Sequence, residues 1–246
     1  MDQPETQEPS FVSRGGLKLD AALTAFGVNP DGAWCVDLGC STGGFTDCLL
    51  QAGAGRVYSV DTAYGEFAWK LRQHERVRVM ERTNALHAEI PPEVMSRGGV
   101  ELAVIDLGWT TQAKAIPAAR QWVRPGGRII TLVKPHYEAS ALRTADERAE
   151  ATKRADRRPS KRRGQGAGAK PSSVLSLEDA QRVTEMTLAA LRDDGYGVEG
   201  TLLSPILGGK RSGTKRGKGN REWLVLLRVP GEDIHARDGE ADDAAP

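Results

Sequence analysis

Aromatic side chains make up only 5% of this chain of 246 residues, and cysteines number 3. The cysteines, Cys35, Cys40 and Cys48, crowd into one short stretch, but no fourth ligand at suitable spacing completes a metal set. They read as reduced packing thiols, and no metal is expected. No apolar run approaches the roughly 18 residues that a bilayer crossing requires. The opening decade, MDQPETQEPS, is acidic and polar rather than a basic leader followed by an apolar stretch. A cytoplasmic protein without membrane contact is therefore expected, and a membrane-active toxin finds no amphipathic or spanning segment to support it. Net charge is also nearly absent, with 34 basic against 33 acidic residues. That balance averages an acidic start, two strongly basic stretches and an acidic tail after Pro230, so local charge carries more information than the sum.

What the chain does have is alternation. AWCVDLG is an apolar run ending in Asp and Gly, GGFTDCLLQAG a short helix stopped by Gly53, and RVYSVD a second strand. FAWKLRQ reads as a helix, RVRVMER as a third strand, ELAVIDLGW as a fourth, AKAIPAARQWV as a helix and GGRIITLVKP as a fifth strand closed by Pro135. Beyond a basic insertion at 141–172, a helix capped by Ser176 runs through Val183, Met186, Leu188 and Leu191 to Gly195. VEGTLLSPI and EWLVLLRV then predict a terminal hairpin. The fold class is α/β: a doubly wound, mostly parallel, Rossmann-like seven-stranded sheet ending in an antiparallel hairpin. One domain over 11–230 is expected, between polar tails at 1–10 and 231–246.

The segment DLGCSTGGF places glycines at 39, 43 and 44 after a strand that ends at Asp37, the geometry of a nucleotide-cofactor turn. Its spacing differs from the G-x-G-x-x-G of pyrophosphate sites. A carboxylate just before the turn suits the cationic amino end of S-adenosyl-L-methionine, and Asp61, closing the second strand, can accept hydrogen bonds from ribose hydroxyls. The candidate cofactor set is Asp37, Gly39, Cys40, Ser41, Thr42, Gly43, Gly44, Phe45, Asp61, Thr83, Asn84 and Asp106. Asn84 reads either as an adenine partner or as a loop cap.

Four charged residues stand where a plain core would not put them. Lys18 opens the first helix, Asp106 ends the fourth strand, Lys134 ends the fifth and Glu222 begins the last. Converging at the carboxyl edge of the sheet, they would compensate one another's charge. Such a cluster suits a ribose hydroxyl, a weak acid that must lose its proton as it attacks; a lysine drawn out of water can take or steer that proton while carboxylates orient it. Lys134 is the candidate for that role.

The stretches VSRGGLKL, DLGCSTGGFTDCLLQAGAGRVYSVD, YGEFAWKLR, ERTNA, VIDLGW, RPGGRIITLVKPHYE and GNREWLVLL, taken in order, resemble the FtsJ-like ribosomal RNA 2′-O-methyltransferases of the haemolysin-A-like (TlyA-like) branch. The resemblance implies a Lys-Asp-Lys-Glu tetrad at Lys18, Asp106, Lys134 and Glu222, and a cofactor motif over Asp37 to Gly44 with Asp61. That branch usually carries an amino-terminal S4 RNA-binding domain, whereas about ten polar residues precede the match here. RNA capture is then expected from two basic segments: 8 Lys or Arg with one acidic residue between Lys153 and Lys170, and 6 with none between Gly208 and Arg221. Trp109, beside Asp106, is the candidate for base stacking. Rival readings are a methyltransferase acting on a base or protein nitrogen, and a non-catalytic RNA-binding or ribosome assembly protein on the same fold. DLGW lacks the prolines common at base amino-methylating sites, the cysteines lie far from the fourth strand as C5 chemistry would not have them, and the complete tetrad argues for turnover.

Overall fold

The structure is a computed structural model that describes residues 10–139, 141, 174–208 and 219–231. The two basic segments fall almost wholly outside the described residues, as do most of the tails. In chain order the elements are α1 (Gly15–Phe26), β1 (Trp34–Leu38), α2 (Gly44–Gln51), β2 (Arg56–Val60), α3 (Trp69–Arg72), β3 (Val77–Met80) and α4 (Pro92–Met95). There follow β4 (Val100–Ile105), α5 (Gln112–Arg120), β5 (Val123–Val133), α6 (Leu177–Asp193), β6 (Gly197–Leu203) and β7 (Trp223–Arg228). The sheet order is β3-β2-β1-β4-β5-β7-β6. The strands from β1 to β5 pair in parallel, and β7 runs antiparallel to both β5 and β6.

Central strands read as nearly continuous apolar runs because helices cover both faces. Side chains alternate across the sheet, so Val36 and Leu38 of β1 join one core with Val94, Ile116, Leu188 and Leu191 of α4, α5 and α6. Cys35 faces the other core, with Leu19 of α1, Phe45, Cys48 and Leu49 of α2 and Leu71 of α3. All three cysteines are buried and free, as packing thiols should be.

The terminal helix begins where its cap signal puts it: Ser176 Oγ accepts the Asp179 amide at 3.0 Å. Its buried stripe is Ala180, Thr184, Leu188 and Leu191. Met186, expected on that stripe, is 51% exposed instead, because at 100° per residue it falls about half a turn away. Thr184 takes the inward place, its hydroxyl satisfied by the Ala180 carbonyl at 2.8 Å. β5 also starts earlier than expected, Val123 pairing with Val100 across a register shift.

This topology positions the site. The parallel strands β1, β2, β4 and β5 deliver their carboxyl ends to one edge, and antiparallel β7 brings its starting end to the same edge.

Candidate active site

The turn after β1 is pinned from below. The amides of Gly39 and Cys40 both donate to the Val60 carbonyl at the end of β2, at 2.9 and 3.1 Å. Gly39 has φ 92°, and a Cβ there would sit 2.7 Å from the Asp106 carbonyl oxygen, so only glycine lets the turn approach β4 so closely. Ser41 holds a left-handed φ of 47° without being glycine. Its amide donates to Asp61 Oδ2 at 2.7 Å, while Asp61 Oδ1 accepts the Ala63 amide at 2.8 Å. Asp61 thereby ties the glycine turn to the loop after β2.

Four elements supply the charged cluster. Lys18, in the first turn of α1, donates from Nζ to Glu222 Oε2 at 2.6 Å, and both side chains are buried. Lys134, just past β5, donates to Asp106 Oδ1, just past β4. Gly208 closes over the first pair: a Cβ on it would collide with the Glu222 carboxylate, and its amide donates to the Asn220 carbonyl at 2.8 Å.

Both ion pairs line one cavity of about 560 Å³, together with Gly39, Cys40, Ser41, Thr42, Gly44 and Phe45. A second cavity of about 190 Å³ is lined by Gly39, Ser41, Asp61, Thr83, Asp106 and Trp109. The two share Gly39, Ser41, Asp106 and Gly108, so they meet over the glycine turn. The larger falls within the ~300–1,000 Å³ common for small-molecule sites, and the smaller adjoins it.

Not every candidate residue reaches these cavities. Asp37 lies beneath the turn, fully buried: its place in β1 shares the parity of Cys35, so it faces α2, where Thr46 Oγ1 donates to it at 2.7 Å. Burial pushes its carboxyl up to about 7, and Oδ1 has no hydrogen-bond partner. Asn84 lines neither cavity; its Oδ1 accepts the Leu86 amide at 3.0 Å, the loop-cap alternative. Gly43, with φ 101°, packs towards Phe67 and Leu71 rather than into the site.

Other residues at the site escaped the sequence pattern. Ser13, Arg14 and Gly15 line the larger cavity from the start of α1, and Ile206, Leu207 and Gly208 line it from beyond β6. The carboxylate of Glu138 accepts the Gln112 amide at 2.9 Å at the start of α5. Gln112 in turn accepts from Thr131 Oγ1 at 2.7 Å, so the network anchors the start of α5, three residues past Trp109. Desolvation pushes Glu138 up to about 7.

A strand order of this kind, with cavities at the carboxyl edge around the first glycine turn, is that of the Rossmann-like methyltransferases. A solved structure described as a candidate hemolysin from Streptococcus thermophilus superposes with TM-score 0.69 at 32% identity, covering 94% of this chain and 72% of that one. The profile of the FtsJ-like methyltransferase family matches residues 11–156, and the chain belongs to that family. A Bacillus subtilis (strain 168) protein named as a candidate rRNA methyltransferase, YqxC, is 38% identical over 222 residues, which is 90% of this chain and 67% of the relative. The Mycobacterium tuberculosis 16S/23S rRNA (cytidine-2′-O)-methyltransferase TlyA is 44% identical over 131 residues. That match spans 53% of this chain and 48% of TlyA, about half of the relative's length. Among the described residues no helix is long and apolar enough to cross a membrane.

Proposed function

We propose that this methyltransferase uses S-adenosyl-L-methionine to methylate a ribose 2′-hydroxyl of ribosomal RNA, acting in the cytoplasm. The observation that carries the reading is the meeting of Lys18, Asp106, Lys134 and Glu222, from four separate elements, around one cavity that opens onto the glycine turn. The relative TlyA is named for cytidine 2′-O-methylation of ribosomal RNA, which agrees with this chemistry.

The chain's own residues fit the cofactor. Asp61 retains lone pairs for ribose hydroxyls after accepting its two amides, and Thr83 flanks it in the smaller cavity. The turn beside that space needs glycine at 39 to lie against the Asp106 carbonyl. When bound, the cofactor supplies an electrophilic methyl group on a sulfonium. Lys134 lines the larger cavity beside Asp106, where its Nζ is placed to receive or steer the proton that leaves the 2′-hydroxyl as that oxygen attacks. Asp106 orients the lysine. The Lys18–Glu222 pair walls the acceptor side and keeps the charges there compensated. Trp109, which borders the smaller cavity, offers a face for the target base.

The test is to incubate purified protein and labelled cofactor with ribosomal RNA and with ribosomal subunits, then locate ribose methylation. Lys134→Ala should lower the transfer rate by about a hundredfold or more while cofactor binding persists. Transfer that survives the substitution undiminished would overturn the assignment.

A further inference from the structure

Tyr64, Trp69 and Trp109 are 67%, 68% and 48% exposed, and every other aromatic side chain among the described residues is buried or half-buried. In a chain so poor in aromatics, all three exposed rings stand on the carboxyl edge of the sheet. Trp109 borders the smaller cavity. Tyr64 follows Asp61 and Thr62, which line that same cavity. Trp69 adjoins Ala68, whose amide donates at 3.0 Å to the carbonyl of Thr42, a residue of the larger one.

The loop bearing Tyr64 is firmly held. The amides of Arg82 and Thr83 donate to the carbonyls of Ala63 and Asp61 at 3.3 and 2.9 Å. Gly65 donates to Glu81 Oε1 at 2.7 Å, and Arg72 clamps the same oxygen at 2.6 Å. Arg82 adopts a left-handed φ of 54°, unusual for a residue with a side chain, and its guanidinium carbon lies 4.0 Å from the Tyr64 ring centroid. Among the described residues no carboxylate lies within ion-pair distance of Arg82. Strained backbone that persists because its surroundings hold it concentrates at functional sites. Of the 5 Lys or Arg in residues 62–83, Lys70, Arg72 and Arg78 pair with Asp47, Glu81 and Glu93, which leaves Arg76 and Arg82 outside any ion pair among the described residues.

A rigid aromatic ring, a stacked guanidinium engaged in no ion pair and a second exposed ring at the start of the next helix match the needs of unpaired nucleotides: π-faces for bases and a cation for phosphate. A duplex, whose bases stack on one another, would leave these rings unused. We propose that the Tyr64–Arg82 stack and Trp69 form a platform for the single-stranded nucleotides that flank the methylated residue, on the β2–α3 side of the site. The inference rests on the RNA reading above and extends it from the target nucleotide to its neighbours.

The experiment measures binding of a fluorescein-labelled, single-stranded oligoribonucleotide of about 12 nucleotides, and of the same strand in a duplex, to the full chain. Tyr64→Ala and Trp69→Ala should each raise Kd for the single strand about tenfold, with Tyr64→Phe close to the parent. Duplex binding and affinity for S-adenosylhomocysteine should stay within about twofold of the parent, since neither involves base stacking on these rings. In methyl transfer the alanine variants should raise KM for RNA and spare kcat. A parent chain that does not bind the single strand, or variants that bind it as the parent does, would overturn the proposal. So would a selective loss of S-adenosylhomocysteine affinity, which would assign Tyr64 to the adenine of the cofactor. Tyr64-dependent binding by a chain that methylates no RNA would uphold the platform and refute the proposed reaction, so the two failures are separable.

Discussion

Asp61 holds Ser41 and Ala63 through its two carboxylate oxygens and also lines the smaller cavity. Asp61→Ala should therefore weaken S-adenosylhomocysteine binding by roughly tenfold to a hundredfold, the worth of hydrogen bonds to a charged group, as calorimetry would read it. Asp37 makes a different prediction. Its carboxyl rises from 3.8 to about 7 because burial opposes its charge, although the Thr46 hydroxyl favours the ionised form. Between those values the folded chain holds a proton that the unfolded chain has released, so stability is greatest below the window and declines as pH rises through it. Glu138, raised from 4.5 to about 7 by desolvation, contributes with the same sign. Cofactor-free Asp37→Asn should thus lose less Tm than the parent between about pH 5 and about pH 8. Equal losses in the two proteins would remove Asp37 as a source of the pH dependence.

At the scale of elements, the Lys18–Glu222 pair ties α1 to the start of β7. Glu222→Leu leaves the lysine buried without its partner and should cost roughly 3–5 kcal/mol in urea denaturation. Pairing it with Lys18→Met should recover much of that loss, because the desolvation of both charges is removed together; additive losses would show the two side chains to be uncoupled. Gly208 probes the same corner from the β6–β7 connection. Gly208→Ala forces a methyl into the Glu222 carboxylate and should reduce methyl transfer by up to roughly a hundredfold through misplacement, with the folded state retained by circular dichroism. Activity equal to the parent's would mean that the carboxylate can move aside without consequence.

Across the whole molecule, charge is partitioned rather than absent. The net value of +1 conceals basic stretches at 153–170 and 208–221, which lie before α6 and within the β6–β7 connection. The described end of that connection, at Gly208, lines the larger cavity. Affinity for ribosomal RNA should fall at least tenfold or so over a fourfold rise in salt, from counterion release alone. A binding constant indifferent to salt would leave these stretches without a role in capture.

Much of the architecture was legible in the residues because strand and helix periods are local. Apolar runs ending in Asp37, Asp61, Asp106 and Lys134 marked the strand ends, and Ser176 marked the start of α6. Position at or near an element end marks the four charged residues as candidates, and the family resemblance picks out the same four. What side chains at those ends do to one another depends on contacts across as many as 204 positions, as between Lys18 and Glu222. Only the tertiary structure decided that Asp37 faces Thr46 beneath the turn, that Asn84 caps its own loop, and that Met186 looks outward. It alone joined Tyr64 to Arg82. Periodicity records which residues share a face, but the distance and direction between faces arise only when sheet and helices pack.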